Sequence, residues 1–170
     1  MKIKKSFTAM LLVLVLALTG IAFAENAPRG VEGDNNPGIA VAKATANSVV
    51  GVITYSTSWS RQGGDQKNML GQGSGVVIDE LGHVVTNWHV VEDGNTYQVL
   101  LPSGEYTDAT LAGYDESTDL AVLKVESEEL SPVEIGSSGD LVVGNSVFAI
   151  GNPGGSVLAN TMTSGIVSAL

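Results

Sequence analysis

The sequence of 170 residues contains no cysteine. That absence rules out a cysteine nucleophile, thiolate metal sites and any fold stapled by disulfides. Basic residues are scarce as well: eight Lys and Arg stand against eighteen Asp and Glu, a formal net charge of −10. A surface of that sign repels nucleic acid and anionic membranes, which argues against both as partners. Long apolar runs are missing too. The best one, Ala9 to Leu18, is interrupted soon after by Gly20 and falls short of the roughly 20 residues that a spanning helix needs. There is no phosphate-binding glycine loop leading into a helix and no calcium-loop set of carboxylates. The composition therefore calls for no cofactor and no metal. No internal repeat is present, and only residues 38–47 hint at a helical period outside the N-terminal run.

What is present begins with an export signal. Lys2, Lys4 and Lys5 precede the apolar run, and Ala22-Phe23-Ala24 offers a small-x-small cleavage site, the layout of a secretory signal peptide over residues 1–24. The alternative is an uncleaved N-terminal anchor, the one route by which the chain would meet a membrane. Without those residues, five basic groups remain against eighteen acidic ones, a net −13. Residues 25–46 come next, beginning polar, Gly/Pro-rich and aperiodic, and read as a flexible tether.

From residue 47 short apolar runs alternate with turn signals, the pattern of an all-β fold. Strands are predicted near 48–55, 74–79, 83–87, 97–101, 105–113 and 119–125. Asp79-Glu80-Leu81-Gly82 and Pro102-Ser103-Gly104 form short hairpin turns with glycine available for positive φ. The stretch Trp59 to Gly73 reads as a longer, mobile polar loop. Six strands over 47–126 are the content of one small closed antiparallel barrel. Residues 127–170 supply a polar joint and two further strands, 146–151 and 161–170, expected to open a second barrel. The sequence stops inside an apolar run, so the expectation is a chain truncated at Leu170.

Two ionisable side chains stand against apolar strand sequences: His89 in Val85-Thr-Asn-Trp-His-Val-Val91 and Asp119 in Asp115-Glu-Ser-Thr-Asp-Leu-Ala-Val-Leu123. A histidine followed by an aspartate is the first two thirds of a His…Asp…Ser triad, in which the carboxylate fixes the tautomer of the imidazole that deprotonates the serine. Imidazole suits a general base because its unperturbed pKa of about 6.5 lets it take and return a proton near neutrality. Asp119, at the head of an apolar strand, is expected to be buried, and pairing with His89 removes the cost of burying it. Asp115 reads as a turn residue and His83 as a solvated hairpin residue. A His83/His89 metal site lacks the spacing and the cysteine partners usual for zinc. The third member of the triad is expected to be absent. Ser74 precedes the histidine and lacks an elbow motif. Ser137, Ser138, Ser156 and Ser164 fall in connecting turns or a strand.

The segment from Gly71 to Leu170 resembles the HtrA/Deg family of trypsin-like serine proteases. Gly73-Ser-Gly-Val-Val-Ile78 is similar to its first barrel hairpin, Thr86-Asn-Trp-His-Val-Val91 to its catalytic-histidine motif, and Ser117 to Val125 to its catalytic-aspartate motif. Ala149-Ile-Gly-Asn-Pro-Gly-Gly155 and Thr163-Ser-Gly-Ile-Val-Ser168 are similar to the start of its second barrel. The resemblance implies a two-barrel endopeptidase acting on unfolded or damaged exported polypeptides. The family is often trimeric and often carries a peptide-binding PDZ domain. It also implies that the Gly151–Gly155 turn lies near the substrate cleft and precedes the nucleophile region, so the chain alone is expected to be inactive. A short exported β-domain that binds peptides or partners without catalysis is the alternative.

Overall fold

The computed structural model describes residues 36–60 and 64–170. The signal segment 1–24 and the first part of the tether lie outside the described residues. Pro37–Thr45 forms a nine-residue helix, α1, within the stretch expected to end the tether. Proline suits a first helical turn because its missing N–H would have had no partner there. No helix among the described residues is long and apolar enough to cross a membrane.

Six strands then close an antiparallel barrel: β1 (Val49–Ser60), β2 (Gly64–Val77), β3 (His83–Asn87), β4 (Thr96–Leu100), β5 (Tyr106–Asp115) and β6 (Leu120–Val125). Their order around the barrel is β1-β2-β3-β6-β5-β4, closed by the pairing of β4 with β1. This is the all-β, six-stranded barrel expected from the sequence. Alternate residues point inward, as the period of a strand requires. Val50, Val52, Val77, Val84, Val99, Leu123 and Val125 are essentially inaccessible and form its core. Gly75 is required by that packing: a Cβ there would lie 2.5 Å from Val84 Cγ1 and 3.0 Å from Val52 Cγ2. Gly82 has φ +80° in the turn after β2, where a β-carbon would run into the Val125 carbonyl. Glycine takes that left-handed conformation without steric cost.

One expectation is corrected. Trp59–Ser60 and Gly64–Gly73 are strand rather than loop: β1 runs on to Ser60 and β2 starts at Gly64, with residues such as Thr57 and Lys67 opposite each other. A bulge between Thr54 and Tyr55 marks where this ribbon leaves the barrel. Most of the outlying ribbon faces solvent, so its sequence carries no apolar alternation. Cross-strand contacts such as Lys67 Nζ, 4.0 Å from the Tyr55 ring centre, contribute instead.

After β6 the chain crosses back over the barrel. Ser131 donates its N–H to the Asn47 carbonyl, and Val133 donates to Val77. It then forms a two-stranded antiparallel sheet, β7 (Ser146–Gly151) with β8 (Thr161–Ile166). Asn152, just past β7, is buried. Its N–H donates to Ser74 Oγ at 2.8 Å, and its side-chain carbonyl accepts from the Asn160 N–H.

Candidate active site

β3 ends at Asn87 and passes directly into a one-turn helix, α2 (Trp88–Val91). Asparagine before a helix usually caps it with its own side chain. Here the Asn87 side chain makes no such bond and donates instead to Asp119, at 3.1 Å to Oδ2 and 3.2 Å to the carbonyl. The capping role passes to Asp119. Its carbonyl accepts the Trp88 N–H at 3.1 Å, and its Oδ1 accepts the His89 N–H at 2.9 Å.

Asp119 reaches α2 because it closes the 116–119 turn with φ +55°, a left-handed conformation that aspartate tolerates better than most residues. Asp115 shapes the entry to that turn by accepting the Ser117 N–H at 2.9 Å and its hydroxyl at 2.7 Å. β3 pairs with β6, Asn87 opposite Leu120, so the histidine lies just past one strand and the aspartate just before its neighbour.

The second carboxylate oxygen completes the arrangement: Asp119 Oδ2 lies 2.7 Å from His89 Nδ1. An ionised carboxylate can only accept, so Nδ1 carries a proton, and the neutral form of the ring is the tautomer with its lone pair on Nε2. The His89 main-chain hydrogen bond, followed by that to its ring, holds the Asp119 carboxyl below its ordinary value of 3.8. The expectation of a buried aspartate is corrected. The Asp119 side chain is 43 % accessible and that of His89 65 %, because Asp119 occupies the turn ahead of β6 and its neighbour Leu120 is itself exposed.

His83, expected as a solvated hairpin residue, stands at the β2–β3 turn with its side chain partly accessible and its ring paired. Its Nδ1 lies 2.6 Å from Asp79 Oδ2, and Asp79 Oδ1 accepts the N–H groups of Leu81 and His83 at 3.0 Å each. That pair ties down the β2–β3 turn. A His–Asp contact therefore does not by itself mark a reactive centre. What sets His89 apart is a cleft of about 250 Å³ opening beside it.

His89 is hydrogen-bonded to Asp119, at its main chain and at its ring. Ser74 lies on β2 with its hydroxyl taken by Asn152. Ser137 caps the short turn Ser138–Asp140 by accepting from Gly139. Ser156 lies within the turn Gly155–Leu158 and Ser164 within β8. No group of three or more metal-binding side chains is found among the described residues.

Sequence reasoning missed the part played by Asn87, although that residue stands in the histidine motif. It also missed the stacking of Trp88 on Tyr114, with ring centres 3.8 Å apart and planes 11° from parallel. A capping-type residue at the head of α2, two positions before the histidine, was the available signal for the first; nothing local signals the second.

Residues 73–170 match the family described as trypsin-like peptidase domain. The chain belongs to the trypsin-like peptidase family, in its HtrA/Deg group. It is 39 % identical over 145 residues to Serine protease Do-like HtrA of Lactococcus lactis subsp. cremoris. It is 36 % identical over 155 residues to Protease Do-like 1, chloroplastic, of Arabidopsis thaliana. Over 102 residues it is 51 % identical to a probable periplasmic serine endoprotease, DegP-like, of Brucella suis. These alignments cover 75 %, 88 % and 59 % of this chain but only 36 %, 34 % and 20 % of the three relatives. The HtrA/Deg chain thus spans about a third or less of their length.

Proposed function

We propose that these 170 residues are the histidine- and aspartate-bearing part of an exported serine endopeptidase that cleaves unfolded or damaged polypeptides. The observation that carries this reading is the double grip of one carboxylate on one histidine, Oδ1 to the main-chain N–H and Oδ2 to ring Nδ1. Such a grip fixes both the position and the tautomer of the imidazole. His89 Nε2 then takes the proton of a serine hydroxyl as the oxygen attacks a peptide carbonyl. Backbone N–H groups hold the resulting oxyanion, and the imidazolium returns the proton to the leaving amine. Asp119 stays ionised throughout and stabilises that imidazolium. No step calls for a cofactor or a metal.

In this reading none of the chain's own serines is the nucleophile, and the chain alone does not hydrolyse peptides. Residues 1–24 direct export, 25–46 link the signal to the domain, 47–126 form the barrel with the base, and 127–170 begin the second barrel. The Lys-rich, apolar and Ala-Phe-Ala segments in order support export. Assembly of the complete protein as a homotrimer is part of the same proposal, which rests there on the family resemblance alone.

A fluorophosphonate probe, which bonds covalently to activated serines, tests this. The product of the complete reading frame should be labelled, its His89→Ala form should not, and the 170-residue chain should stay unlabelled. Label on the 170-residue chain would place the nucleophile among its own serines. Equal labelling of the parent and His89→Ala would overturn the role given to His89.

A further inference from the structure

The cleft beside His89 has a composition that the proton-transfer chemistry does not use. One side is formed by Thr54, which is buried and donates its hydroxyl to the Val90 carbonyl at 2.7 Å. Leu70, Gly71 and Gln72 of β2 line another side, and Asp93, two residues past α2, lines a third. Leu70 is 47 % accessible, an apolar surface left open to solvent. Asp93 is exposed and belongs to none of the three ion pairs among the described residues. Asp79 and Asp119, by contrast, are each committed to a histidine. Among the lining residues Asp93 is the single carboxylate and His89 the only other titratable group.

An apolar wall with one unpaired carboxylate beside it matches a side chain with an aliphatic stem and a cationic tip, since lysine and arginine lay their methylenes along apolar surface while the charge finds a polar partner. An acidic side chain would meet Asp93 as a like charge. An uncharged one would gain the stem contact alone. We propose that this cleft receives a lysine or arginine side chain of the bound polypeptide, with Asp93 as its counter-ion, so that Asp93 sets a preference for basic residues beside the bond to be cut. The inference rests on the protease reading above for its meaning in catalysis, but the binding it asserts does not depend on bond cleavage. The expected preference is modest, because a partly exposed ion pair changes affinity by a factor of about 1.5 to 5, and it should shrink as salt screens the pair.

Titration of the ¹⁵N-labelled 170-residue chain with blocked single amino acids reads this out. N-acetyl-lysine and N-acetyl-arginine methylamides should shift the Gly71, Gln72 and Asp93 amides at about threefold lower concentration than the norleucine derivative, which keeps the stem and lacks the charge. The glutamate derivative should be weakest. Asp93→Asn should bring the basic probes to the norleucine level with the rest of the spectrum unchanged. Glu128→Gln, which removes the same charge elsewhere, should leave the preference intact. Equal response to lysine and norleucine, a preference that survives Asp93→Asn, or no response at these amides would each overturn the proposal. Failure of the protease reading would appear separately, as serine labelling that does not require His89 while the lysine preference persists.

Discussion

One carboxylate, that of Asp119, holds His89 at two points, the main-chain N–H at 2.9 Å and ring Nδ1 at 2.7 Å. The first fixes where α2 begins and the second fixes which ring nitrogen is free. Replacing Asp119 with Asn keeps the size and the tolerance of positive φ but offers Nδ1 a different partner. In the complete protease Asp119→Asn should therefore lower kcat by about 10⁴ while circular dichroism stays that of the parent. Asp119→Ala should also lower the melting temperature, because two bonds to the start of α2 depend on the carboxylate and its left-handed backbone. Activity of Asp119→Asn within tenfold of the parent would contradict this orienting role.

The two histidines have near-identical partners and should differ completely in consequence. His89→Ala should abolish hydrolysis by the complete protease. His83→Ala should change kcat/KM by less than about threefold, because the Asp79 pair secures a turn and takes no part in proton transfer. Its effect should be on stability alone. Comparable losses of activity at both positions would point to a shared structural role instead.

Acid should dismantle the grip in a defined direction. The bonds from His89 hold the Asp119 carboxyl below 3.8, so the native state favours its ionised form. That contribution is fully present above the ordinary aspartate value and is lost as pH falls through the lowered one. The side-chain carboxyl ¹³C resonance of Asp119 should accordingly show its protonation step below the ordinary aspartate value. In Asp119→Asn no such step should remain. A transition centred above pH 4 in the parent would show that the carboxylate is not held as described.

Gly75 tests the packing of the barrel. An alanine there places a Cβ against Val84 and Val52, β-branched side chains with little rotamer freedom. Gly75→Ala should destabilise the chain by about 1–3 kcal/mol, read from the denaturant midpoint at unchanged m-value. Gly71→Ala, where no atom lies within 4 Å of the added carbon, should be near neutral.

The Trp88–Tyr114 stack should couple the α2 segment to β5. A double-mutant cycle of Trp88→Ala and Tyr114→Ala should give an interaction energy of about 0.5–1.5 kcal/mol. Strict additivity would show that the rings touch without supporting each other.

The barrel is legible in the sequence wherever a strand buries one face. β3 has the limits its residues predict, and β4, β5 and β6 fall within about two residues of theirs, helped in β3 and β6 by Val84, Leu123 and Val125 alternating with more accessible neighbours. The glycines of both turns stand at positive φ as expected, Gly82 at +80° and Gly104 at +90°. The outlying ribbon of β1 and β2 escapes notice because its sequence is polar, with no burial to pattern it. His89 and Asp119 stand out because apolar strands frame them. The contacts of Asn87, Trp88 and Tyr114 do not, since they depend on pairing between segments about thirty residues apart.

The strand order has one more consequence. β3 pairs with β6 rather than with its successor β4, so the hairpin of β4 and β5 lies in the sequence between the two segments that meet. A chain in which that pairing has not formed keeps the histidine and the aspartate apart. The arrangement works like a clasp: neither half holds anything until two strands distant in sequence lie side by side.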